Sequence, residues 1–90
     1  MSSGPPQPSL NDAFGKALTM LRKERGWTQA FLGFESDLTR NYIALLEGGK
    51  RSPTLNTISR IAGALGIDEV QLMQLTVQAA RQSVAGKMGR

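Results

Sequence analysis

The chain has 90 residues, no cysteine and no histidine, with 11 basic against 7 acidic side chains, a net charge of +4 and a pI near 10.1. That length supplies one small domain, and the missing residue types exclude disulfides, thiol nucleophiles, imidazole bases and any zinc site built on Cys or His. No apolar run is long enough to span a membrane and the opening MSSGPPQPS lacks a signal-peptide core, so the expectation is a soluble, cytoplasmic protein. A pI this high suits a nucleic-acid partner, although a basic face can equally be a solvated one.

Residues 1–8 are rich in Pro, Gly and Ser and are expected to form a flexible arm. Ser9 reads as an N-cap, with Asp12 at the capping-box position. Leu10, Ala13, Phe14, Ala17, Leu18 and Leu21 recur at helical spacing, so a first helix runs from about Ser9 to Arg25 and stops at Gly26. Thr28 caps a short second helix over Gln29 to Glu35, and Thr39 caps a third over Arg40 to Glu47, ended by Gly48-Gly49. GGKRSP is a loop. Thr54 caps a fourth helix with Leu55, Ile58, Ile61, Ala62 and Leu65 as its stripe and Gly66 as its stop. Asp68 caps a fifth, expected to run to about Gln82 before a loose tail over 83–90. No segment shows strand alternation. The expected architecture is all-α, with five helices in one domain over 9–82.

The stretch from Thr28 to Glu47 carries the functional information. Two short helices joined by a tight turn have the layout of a helix-turn-helix. Such a unit needs a small residue where its helices cross, and Gly33 is there. It needs a residue that tolerates positive φ at the turn, and Asp37 is there. Leu32, Leu38, Ile43 and Leu46 supply the apolar anchors, which leaves Arg40, Asn41, Ala44 and Leu45 on the side that must stay free for DNA.

The run GWTQAFLGFESDLTRNYIALLEGGKRSPTLNTISRIAGALGI resembles the phage-repressor family of DNA-binding domains, the Cro/repressor or XRE type. The resemblance rests on the Thr28-Gln29 opening and on the run from Leu38 to Ile43. It rests also on the Glu47 to Arg51 exit, the Ser52-Pro53-Thr54-Leu55 entry and Ala64-Leu65-Gly66. It covers about two thirds of the chain and implies a lambda-repressor-like fold. Three positions depart from the pattern. Asp37 stands where glycine is usual, and Phe31 and Phe34 stand where polar residues are common, so that face is expected to pack or to meet a partner.

The resemblance makes the third helix the recognition helix in the major groove. Arg40 and Asn41 are then base readers, since Arg suits guanine O6/N7 and Asn suits adenine N6/N7. Ala44 and Leu45 complete the base-facing set, with Leu45 placed to meet a thymine methyl. Phosphate contacts are expected from Thr28, Gln29, Thr39, Tyr42, Lys50, Arg51 and Ser52. Some have a plainer reading: a solvated Arg40, an Asn41 that supports the cap, an ordinary surface Leu45, a polar Lys50-Arg51 loop. The family also pairs the acid at Glu47 with an arginine at the place of Arg22. The last helix has more apolar positions than one core stripe needs. Leu72, Leu75 and Ala79 form one set, and Val70, Met73, Val77 and Ala80 form a second that is expected to be a homodimer interface.

GGKRS does not make a phosphate-binding loop, because Ala44 and Arg51 break that pattern and no strand precedes it. Glu35 and Asp37 flank a turn with no histidine near them, so nothing points to an enzyme. No cofactor or metal is implied. The expected function is a sequence-specific transcriptional regulator of double-stranded DNA, either a prophage-type repressor or a restriction–modification controller, with the Arg40-Asn41-Tyr42 and Arg51 pattern leaning to the controller group. An antitoxin-like module, whose main partner is another small protein, is the competing reading.

Overall fold

The computed structural model describes residues 9–88. The expected arm at 1–8 and the last two residues of the expected tail lie outside them. The described chain is five α-helices in the order α1 (Leu10–Glu24), α2 (Gln29–Ser36), α3 (Arg40–Glu47), α4 (Leu55–Leu65) and α5 (Glu69–Met88).

Each helix starts where a side chain accepts from a free backbone N–H, which is how orphan donors of a first turn are satisfied. Ser9 Oγ accepts from Asn11 N, Thr28 from Phe31 N, Thr39 from Tyr42 N and Thr54 from Thr57 N, the last three at 3.0 Å. Asp68 does the same for α5, accepting from Gln71 N at 2.8 Å. The stops share one chemistry too. At the end of α3, Gly49 N donates to Leu46 O and Lys50 N to Leu45 O, the paired bonds of a Schellman turn. Gly49 holds φ +71 there, and Asp37, at the end of α2, makes the same kind of turn with φ 60.

The core is built from one face of every helix. Leu18 of α1, Leu32 of α2, Ile43 and Leu46 of α3, Ile61 of α4 and Leu72 of α5 are fully buried, with Phe14 beside them. α5 packs chiefly on α1 and also touches α4. Two buried polar side chains near this core return their protons to their own helices: Ser36 Oγ donates to Leu32 O at 2.6 Å and Thr76 Oγ1 to Leu72 O at 3.0 Å. Arg25, at the end of α1, donates to Leu21 O at 2.9 Å and to Leu65 O at 2.8 Å, fastening the ends of α1 and α4 together.

One boundary differs from expectation by more than a residue. α5 continues to Met88, past the expected end at Gln82. The added stretch contains no proline and only Gly86 among residues of poor helix propensity, so nothing local stops the turn-by-turn extension.

Candidate nucleic-acid interface

The geometry begins at the α2–α3 crossing. A Cβ on Gly33 would stand 2.7 Å from Leu38 O and 3.3 Å from Arg40 N, so any larger residue would push the start of α3 outward. The turn then needs a left-handed residue, which Asp37 provides, and Arg60 of α4 donates to its carboxylate at 3.0 Å. With the turn set, α3 buries Ile43 and Leu46 and presents Arg40 and Asn41, both exposed, on its first turn. Ala44 and Leu45 lie one turn on and are half-buried.

The far end of α3 is held from below. Glu47 accepts two bonds from Arg22, from Nε at 2.6 Å and from Nη2 at 2.9 Å, and a third from Gln29 Nε2 at 2.9 Å. The remaining guanidinium nitrogen, Arg22 Nη1, donates to Trp27 O at 2.8 Å. Burial pushes the Glu47 carboxyl up, but the hydrogen bonds from Arg22 and Gln29 and the Arg22 charge outweigh it and hold it below its ordinary value. The same hydrogen bond raises Arg22 against the opposing pull of burial. The acid–arginine link implied by the family resemblance is therefore present, and it has two further members, Gln29 and the Trp27 carbonyl.

α1 supports this end of α3 at very close range. A Cβ on Gly15 would lie 2.4 Å from Glu47 O and 2.7 Å from Leu46 O. The Asp12 side chain lies so near Gly49 that a Cβ there would overlap it. Beyond Gly49 the chain exposes Lys50, Arg51 and Ser52 beside the outer side of α3.

The expected phosphate ligands divide into two groups. Thr28, Thr39, Lys50, Arg51 and Ser52 are exposed. Gln29 and Tyr42 are half-buried and turn inward. Gln29 is engaged by Glu47, and the Tyr42 hydroxyl pairs with Thr57 Oγ1 at 3.3 Å. Sequence reasoning missed Gly15 and Thr57. The former shows no signal in a helical pattern, and the latter reads as one more polar residue in the first turn of α4. Of the two unusual phenylalanines, Phe31 meets Trp27 edge to face with centroids 4.9 Å apart, while Phe34 is 79% exposed. On α5, Leu72 is buried and Leu75 and Ala79 are half-buried. The second set forms an open apolar surface, with Val70 67% and Val77 37% exposed and Met73 and Ala80 half-buried.

Among the described residues there is no group of three His, Cys, Asp or Glu that could hold a metal ion, and no helix is long and apolar enough to cross a membrane. Two short helices locked through a left-handed turn, with a polar first turn of the second facing solvent beside a basic loop, define a helix-turn-helix DNA-binding domain. The chain belongs to the helix-turn-helix family, whose profile matches residues 18–72, and it is a DNA-binding transcriptional regulator. It is similar to the HTH-type transcriptional regulator y4dJ of Sinorhizobium fredii, 37% identical over 69% of this chain and 80% of that protein. It is similar also to the control protein C.BamHI of Bacillus amyloliquefaciens, 36% identical over 70% of this chain and 79% of that one. Among solved structures it matches the restriction-modification controller protein C.AhdI of Aeromonas hydrophila with a TM-score of 0.67 at 37% identity, covering 69% of this chain and 94% of that one.

Proposed function

We propose that the chain is a sequence-specific regulator that reads a pseudo-palindromic operator as a homodimer, of the kind represented by restriction–modification controllers. The observation that carries this reading is the surface of α3. Arg40 and Asn41 are exposed on the first turn, where the helix-turn-helix fold brings a recognition helix to base edges. Lys50, Arg51 and Ser52 flank them as phosphate ligands, and the hydroxyls of Thr28 and Thr39, which only accept within their caps, keep a proton to donate to a phosphate. Gln29 enters through the Glu47 network, holding α3 in place. Ala44 and Leu45 offer small apolar contacts deeper in the groove. The α5 surface of Val70, Met73, Val77 and Ala80 supports self-association, because a two-fold axis covers the patch with its own copy. Control proteins and a phage immunity repressor are both among its relatives, and the lean to the controller kind rests on the Arg40-Asn41-Tyr42 and Arg51 pattern.

Protection mapping on the DNA upstream of its own gene tests this. A footprint with two half-sites about one helical turn apart is expected. On that site Arg40→Ala costs about 1–3 kcal/mol and relaxes preference at one base pair, read by titration against single-base variants. Equal loss on every sequence would confine Arg40 to phosphate. Sedimentation of Val77→Glu tests the dimer: wild type is a dimer at micromolar concentration and the variant a folded monomer with weakened operator binding. A monomeric wild type would remove the α5 interface.

A further inference from the structure

Arg51 is exposed, yet it does not stand alone. Its guanidinium carbon lies 5.8 Å from the centroid of the Tyr42 ring, within the range in which a cation is drawn to a ring face. The ring in turn is fixed on two sides. Its body packs against the core cluster, and its hydroxyl lies 3.3 Å from Thr57 Oγ1. Thr57 is 6% exposed, and its hydroxyl also accepts from Thr54 Oγ1 at 3.0 Å. A chain of contacts thus runs from the cap of α4 through Thr57 and Tyr42 of α3 to Arg51 in the exit loop.

We propose that Tyr42 and Thr57 are positioning residues, a platform that orients Arg51 toward the DNA backbone. The proposal rests on the DNA-binding reading above and adds a division of labour to it. A free arginine on a loop samples many rotamers and must surrender them on binding a phosphate. Drawn over a fixed ring at 5.8 Å, it has surrendered part of that freedom beforehand. Tyr42 therefore contributes to affinity without touching DNA. Its hydroxyl is committed to Thr57, so α4 sets the angle of the ring on α3, and the ring sets Arg51.

The test is a double-mutant cycle on affinity for a random-sequence duplex of about two helical turns at fixed low salt, since a phosphate contact is sequence-independent. Tyr42→Leu keeps apolar packing and removes the ring; it weakens binding about two- to fivefold. In an Arg51→Ala background the same change has no effect. Tyr42→Phe and Thr57→Val leave packing intact, give smaller losses equal to each other, and also lose their effect without Arg51. Urea melts identify any variant that does not fold. Additive losses from Tyr42→Leu and Arg51→Ala would overturn the platform. A Tyr42→Phe loss that survives in Arg51→Ala would overturn it too, by placing the hydroxyl on DNA itself. Silence of both Tyr42→Phe and Thr57→Val would remove Thr57 from it. Failure of wild type to bind any duplex would overturn the DNA-binding reading and this proposal with it, an outcome distinct from wild-type binding without coupling.

Discussion

The turn of the helix-turn-helix and the exit of α3 are each tied by an ion pair, and the ties differ in kind. At the exit of α3, the side chains of Arg22 and Glu47 are 11% and 6% exposed and meet through two parallel bonds. At the turn, Arg60 Nη1 donates to the Asp37 carboxylate at 3.0 Å and to its carbonyl at 3.4 Å, with side chains 51% and 93% exposed. The exit tie is largely enclosed by packed helices, and losing one partner leaves a charge with little water to replace it. The turn tie is bathed in solvent, and losing it hands both groups back to water. The chain thus spends its buried electrostatics where α3 must not shift, and leaves the turn to backbone geometry, namely the left-handed Asp37 and the close approach at Gly33.

Breaking the exit tie has the largest expected effect. Glu47→Ala leaves the part-buried Arg22 guanidinium without its carboxylate and destabilises the fold by more than the roughly 1 kcal/mol that an exposed pair is worth, read as a lowered urea midpoint at constant slope. A double-mutant cycle with Arg22→Ala shows strong coupling; independent losses would dissolve the comparison. Acid gives a second view of the same tie. Because the folded Glu47 carboxyl lies below its ordinary value, its contribution is fully present above the unfolded carboxyl value of about 4.3 and is lost as pH falls through the folded value. Stability therefore holds from neutral pH to about 5 and declines below about 4, and Glu47→Gln flattens that decline. The cap at the start of α3 comes next: Thr39→Ala removes the acceptor for Tyr42 N and costs about 1 kcal/mol. Smallest is the turn tie. Arg60→Ala costs under about 1 kcal/mol and its effect fades with added salt; a loss as large as that of Glu47→Ala would show that the turn is held electrostatically after all.

The same contrast separates what was legible in the sequence from what was not. Caps and stops are local chemistry within three or four residues, and Ser9, Thr28, Thr39, Thr54 and Asp68 all cap as their positions imply. Gly33 and Asp37 were legible because the turn imposes fixed demands on adjacent residues. Arg22 and Glu47, 25 residues apart, came into view through the family resemblance. Gln29 and Tyr42 turned inward because each found a partner on another element, Glu47 of α3 and Thr57 of α4. Such pairings depend on how helices cross, which no local pattern encodes. Gly15 was silent for the same reason: its role exists only once α1 lies against α3. The end of α5 escaped because loss of apolar periodicity is no stop signal, and only a glycine cap or a proline would have been one.

Gly15 also has a mechanical consequence. With no Cβ between them, the backbones of α1 and α3 bear directly on one another at Leu46 and Glu47, and close-packed interiors yield little. A helix seated this way has no cushion of side chains to compress at that crossing, so α3 resists rocking or sliding against α1. If α3 meets a duplex as proposed, misfit would fall on the rotamers of Arg40 and Asn41 and on the bending of the DNA, so the stiffness of the target sequence would enter the binding energy.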